Sequence, residues 1–155
     1  MIQRIQTLYL LIIVILSCFT LFLSVAGLYN PGETLKYIVD FKGVFLVKTT
    51  GNEFIENVWA LTAISTIIPL ITMVTIFLYK NRLLQIRLII FNIVLMAGFY
   101  GLLFIYLWIT GEKLHADWFL EIVSAFPLVN IILSILAIRA IGKDIALIKS
   151  LNRIR

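Results

Sequence analysis

The sequence is poor in cysteine, histidine and charge, and each scarcity excludes something. With a single cysteine, Cys18, no intramolecular disulfide can form, so nothing argues for an oxidising compartment. The single histidine, His115, comes with no HExxH, CxxC, glycine-rich phosphate loop or nucleophile elbow. No metal and no cofactor is therefore expected. Only 14% of residues are charged and 62% are hydrophobic, against ~25% and ~45–50% in soluble domains. Charge is missing above all from four long runs, residues 5–28, 58–79, 88–109 and 118–138, where Glu121 is the one exception. A run of roughly 20 apolar residues at ~1.5 Å per residue matches the ~30 Å hydrocarbon core of a bilayer. The fold class expected is an all-α membrane protein: a four-transmembrane-helix bundle in one domain, with a small β-hairpin in the first outer loop.

The net charge of +5 matters less than its distribution, and no nucleic acid partner is expected. Arg4, the loop with Lys80, Arg82 and Arg87, and the tail with Arg139, Lys143, Lys149, Arg153 and Arg155 hold nine basic residues and one acid, Asp144. The other two connections hold Lys36, Lys42, Lys48 and Lys113 against seven acids, Glu33, Asp40, Glu53, Glu56, Glu112, Asp117 and Glu121. The positive-inside rule puts both termini and the second loop in the cytoplasm. A lipoprotein signal ending at Ser17-Cys18 is the competing reading of the N-terminus. The apolar run continues past Cys18 to Leu28, longer than the ~7–15 residues of such a region, so Cys18 reads as a small apolar residue of a span.

The outer loop at 29–57 contains two β-rich runs, 35–41 and 44–47, on either side of Gly43, which predicts a hairpin. Pro69 should bend the second span, with Ser65 and Thr66 placed to satisfy freed carbonyls. Ala97 and Gly101 form a small-xxx-small pair suited to close helix approach. Asp117 reads as the N-cap of the fourth span, which contains Pro127. Asn92 and Asn130 would be costly facing lipid and should point inward, with Asn130 able to donate to a carbonyl near the Pro127 bend. Glu121, one turn inside its span, should reach the outer interface. His115, beside Glu112 and Asp117, reads as part of a solvated loop, because a metal needs three or four converging ligands.

The tail reads as a basic amphipathic helix. Arg139, Lys143, Lys149 and Arg153 fall on one arc, and Ile138, Ile141, Ile145, Ile148 and Leu151 fall on the other. Anionic lipids of the inner leaflet would attract it at ~1 kcal/mol per basic residue. Asp144 lies on the apolar arc, where it needs a cation, and the neighbouring loop offers Lys80, Arg82 and Arg87.

Three stretches carry a family resemblance: MIQRIQTLYL at the start, YKNRLLQIRL at 79–88, and the tail with AIRAIGKD at 137–144 and KSLNRIR at the end. They resemble a family of small bacterial four-span membrane proteins of unknown function. The resemblance covers the whole length and implies no activity; its motifs lie on the face assigned to the cytoplasm. Gly142 and Ile145 depart from it, standing where more polar residues are expected. A claudin-like layout is shared in silhouette only, since the tryptophan-and-paired-cysteine signature is missing, and such analogy does not carry function.

The function expected is that of an accessory or scaffold subunit, not an enzyme. It would bind a protein partner, or itself, through Arg4, Lys80, Arg82, Arg87, Arg139, Lys143 and Asp144, with the bilayer and its anionic lipids as further partners. The alternative is a small transporter or channel whose path is lined by Pro69, Asn92, Pro127 and Asn130. No nucleophile–base or metal constellation supports catalysis.

Overall fold

The first long apolar run changes state before it ends. In the computed structural model, which describes residues 3–30, 32, 35–40, 42–48, 51–79 and 81–152, with side chains from 5 to 148, helix α1 spans Gln3–Phe22 and stops. Its last turn closes with the Leu23 amide donating to the Phe19 carbonyl, and the next amide of that stretch to find a backbone partner, Val25, donates to Val39 instead. The apolar residues that follow form strand β1, Ala26–Asn30. Three strands come next, β2 (Leu35–Asp40), β3 (Gly43–Lys48) and β4 (Gly51–Glu56), then helices α2 (Trp59–Phe77) and α3 (Arg82–Leu114). Strand β5 (Asp117–Leu120), a 3-10 turn (Ile122–Ala125) and helix α4 (Phe126–Asn152) complete the chain.

The strands form one antiparallel sheet in the order β4-β3-β2-β1-β5. This corrects the expected fold class. The β2–β3 pair does flank Gly43, with Asp40 opposite Gly43 and Tyr37 opposite Leu46. It is the middle of a five-stranded sheet, however, not a small hairpin, and the protein is not an all-α bundle. An isolated two-stranded hairpin is marginal in water. Here β1 is recruited from the end of the first apolar run and β5 from the start of the fourth. Alternation gives the sheet a buried face of Ala26, Leu28, Tyr37, Val39, Val44 and Leu46, which joins the core of the helices. Gly43 is needed where β3 and β4 approach, because a Cβ there would lie 2.5 Å from the Glu56 carbonyl. Gly27 lets the Phe119 ring of β5 lie across β1, since a Cβ would come within 2.4 Å of that ring.

Four helices are long and apolar enough to cross a membrane. Each packs against its sequence neighbours, and α1 closes on α4. At 33 residues α3 is about 50 Å long, longer than a hydrocarbon core, so it carries its C-terminus up to the sheet. There His115 takes a left-handed conformation (φ 46°), the Ala116 amide returns to the Gly111 carbonyl, and Asn30 Nδ2 donates to the Leu114 carbonyl at 3.0 Å.

Several local expectations change with the sheet. Asp117 caps no helix; it opens β5 and is exposed, and Glu121 lies before the 3-10 turn rather than inside a span. Ala97 and Gly101 face outward, and nothing lies within 4 Å of a Cβ built on Gly101, so they mediate no approach within the chain. Ser65 and Thr66 donate to the carbonyls of Leu61 and Thr62, one turn before the Ser65 carbonyl that Pro69 frees. The tail continues α4 without a break as far as Asn152.

Candidate functional site

The ends of α3 and α4 away from the sheet meet at Asp144. Its position among Ile141 and Ile145 forces the carboxylate into a largely buried place, and a buried charge is costly unless paired. Arg82, the first residue of α3, supplies the charge: Nη1 lies 2.8 Å from Asp144 Oδ2, with side chains 21% and 13% exposed. The two atoms are off the in-line angle of a hydrogen bond, so the contact is an ion pair without fork geometry. Of the three cations expected to reach Asp144, Arg82 is therefore the partner; Arg87 is exposed, and Lys80 lies outside the described residues. Arg139 and Lys143 are also exposed. The side chains of Arg4, Lys149, Leu151, Arg153 and Arg155 fall outside those described.

Inside the helices, side-chain amides join neighbours in pairs. Asn92 Nδ2 donates to Thr72 Oγ1 at 2.7 Å and Gln85 Nε2 to the Thr75 carbonyl at 3.2 Å, joining α3 to α2. Asn130 Nδ2 donates to Ser17 Oγ at 3.1 Å, joining α4 to α1. Both asparagines are buried, as expected from the cost of presenting an amide to lipid. Asn130 does not serve the Pro127 bend, though. That task falls to Tyr100 of α3, whose hydroxyl donates to the Ser124 carbonyl at 2.6 Å and accepts from the Leu128 amide at 3.0 Å. Those two groups are four residues apart, so the hydroxyl is inserted into the helical ladder where α4 begins. Of the residues considered for a transport path, Pro127 and Asn130 line one cavity of about 10 Å³; Pro69 and Asn92 do not line it.

At the sheet end two carboxylates flank β1. The Val25 amide donates to the Val39 carbonyl, and the Glu121 amide donates to the Val25 carbonyl, which brings Asp40 and Glu121 to either side of Val25. The Ser24 hydroxyl donates to Glu121 Oε2. Partial burial, and then the charge of Glu121, push the Asp40 carboxyl above its ordinary range, with Lys42 pulling the other way. His115, Glu112 and Asp117 border an open cleft of about 350 Å³ with Trp108 and Trp118, where Trp108 Nε1 donates to Glu112 Oε1 at 2.7 Å. Among the described residues no three ligating side chains converge in a metal-binding group.

Ser24, Thr72 and Tyr100 were not candidates from the sequence, and Ser17 and Asp40 entered only as a possible signal end and as an outer acid. Tyr100 alone left a signal, because a phenol in an apolar run needs a partner for its hydroxyl. The serine and threonine partners come from helices distant in sequence and left none.

No curated protein matches the chain. A family model described as Domain of unknown function (DUF4293) matches residues 2–154. With nearly the whole chain inside that match, the protein belongs to the DUF4293 family, whose function is unknown.

Proposed function

We propose that the protein is a non-enzymatic accessory or scaffold subunit of a bacterial inner membrane, which holds an acidic partner protein at the end where α3 begins and α4 finishes. The charge asymmetry of the connections supports a cytoplasmic position for that end. The observation that carries the reading is the Arg82–Asp144 pair. It neutralises the lone acid of the tail and fixes α4 against α3, leaving Arg87, Arg139 and Lys143 exposed nearby. Anionic inner-leaflet lipids would hold the same cations toward the membrane surface.

The test is chemical cross-linking in membranes, followed by purification in mild detergent, for the wild type and for an Arg87→Glu, Arg139→Glu, Lys143→Glu variant. One partner enriched with the wild type, weakened by Asp144→Asn and lost from the triple variant is the expected result. Identical recovery from both proteins would overturn the reading. So would solute flux in proteoliposomes that Asn130→Leu abolishes, which would assign transport instead. A reporter fused after Arg155 should be active only in the cytoplasm, and one inserted near Gly51 only outside.

A further inference from the structure

The small cavity at Asn130 is a place to which all four helices contribute: Ser17 and Thr20 from α1, Ser65 and Ile68 from α2, Met96 and Phe99 from α3, and Pro127 and Asn130 from α4. Asn130 is 1% exposed, and one end of its amide head, Oδ1, has no protein partner. The other end, Nδ2, is held by Ser17 Oγ. Exchanging the amide oxygen and nitrogen would reverse the direction of these bonds but still leave one end on Ser17 and the other unpartnered. A buried polar atom among helices needs a partner, since no solvent in the hydrocarbon region supplies one.

From these observations we infer that the cavity is a binding site for a single water molecule, which joins Asn130 to the hydroxyls of α1 and α2. The hydrogen-bonding inventory matches that ligand. Thr20 Oγ1 and Ser65 Oγ donate to the carbonyls of Leu16 and Leu61, so each keeps lone pairs free to accept. Ser17 Oγ accepts from Asn130 and retains its own proton to give. A water can donate to Asn130 Oδ1 and to the Ser65 oxygen while accepting from Ser17. That makes the roughly three bonds usual for a buried water. Size agrees, because about 10 Å³ is near the minimum for one water and too small for anything larger. Charge agrees as well: every polar group around the cavity is neutral, whereas a cation far from bulk water would need a carboxylate or many more oxygens. The water is then a fourth-helix tether. The Asn130–Ser17 bond joins α4 to α1 directly, and the water extends that link to α2.

A crystal structure at a resolution that shows ordered waters is expected to place one density peak within hydrogen-bond distance of Asn130 and of the Ser65 hydroxyl. A dry cavity, or an Asn130 amide turned onto a protein partner, would overturn the inference. Thermal unfolding in detergent gives a second readout through Ser65→Ala, Asn130→Leu and the double variant. Ser65 and Asn130 share no direct bond, so a bridging water makes the double variant lose less Tm than the sum of the single losses. Ile89→Val with Asn130→Leu is the control, since Ile89 is buried about two turns along α3 from the cavity-lining Met96 and should add. Additive losses in the Ser65 cycle would sink the bridge. Should Asn130→Leu fail to fold, Ser17→Ala with Ser65→Ala asks the same question. Exchanging sodium for choline should leave Tm unchanged, and a sodium-dependent rise would assign a cation in place of water.

Discussion

The two halves of the molecule share an apolar core, but among the described residues only the helical half buries polar side chains as well. In the sheet, Leu28, Tyr37, Val39, Val44 and Leu46 turn inward while Lys36, Lys48 and Glu53 face out. Among the helices, only 28–33% of the residues in each span are buried, and Gln6, Ser17, Thr72, Gln85, Asn92, Asn130 and Ser134 are among them. Leu8, Phe19, Met73, Phe91, Ile105 and Ile132 face outward. In water the apolar term decides what goes inside. In lipid that term is the same on both sides of a helix, so polar bonds and close packing decide instead. Burial along this chain of 155 residues suits both rules, with the change near Ser24 and Glu121.

The largest expected effect tests the sheet side of that contrast. Leu28→Ala removes a fully buried side chain and should cost about 2–5 kcal/mol. Ile105→Ala, on an outward helix face, should stay within about 0.5 kcal/mol. Equal losses in reversible unfolding from detergent would show that the outward face is covered by something other than lipid. Next is Asp144→Ala, which leaves Arg82 largely buried without a counter-charge and should cost about 2–4 kcal/mol. Adding Arg82→Ala should restore part of that loss; a double variant as unstable as the two losses summed would show that the pair is not coupled. Tyr100→Phe should cost about 1–2 kcal/mol by leaving the Ser124 carbonyl and Leu128 amide unpaired in the helical half. No loss in its melting temperature would mean that the ladder closes without the hydroxyl.

The smallest effect belongs to Asp40, at the junction of the halves. Folding raises its pKa, so between the unfolded and folded values the native chain binds more protons, and stability falls as pH rises through that window. Asp40→Asn removes this penalty. It should melt above the wild type at neutral pH, with the difference shrinking as pH falls toward the ordinary value of 3.8. Parallel pH profiles for the two proteins would refute the assignment.

Much of this was legible, but unevenly. Asp144 could be matched to a basic loop because an acid on an apolar arc has few ways to be satisfied, and Arg82 is the answer. Asn92 and Asn130 could be turned inward because the cost of an amide in hydrocarbon does not depend on the neighbours. Their partners could not be named: Thr72 and Ser17 lie 20 and 113 residues away along the chain. Strand β1 was hidden because the stretch 25–28 is equally apolar as the end of a span or as a buried strand, and periodicity does not separate the two over so short a run. Strand β5 has only four residues, one of them charged, and β4 carries two acids, so neither had a strand signature of its own.

Four segments that suit a membrane, a division of charge between the two sets of connections, and a β-rich stretch around Gly43 could be read along the chain alone. These follow from composition along the chain, and composition is local. The end of α1 at Phe22, the place of β1 between β2 and β5, and the meeting of Asp144 with Arg82 rather than Arg87 came from the folded arrangement. Each of those depends on hydrogen bonds and charges supplied by residues far apart in sequence. A strand's backbone groups are satisfied only by its neighbours, and a helix's by itself, so the helices could be read one at a time and the sheet could not.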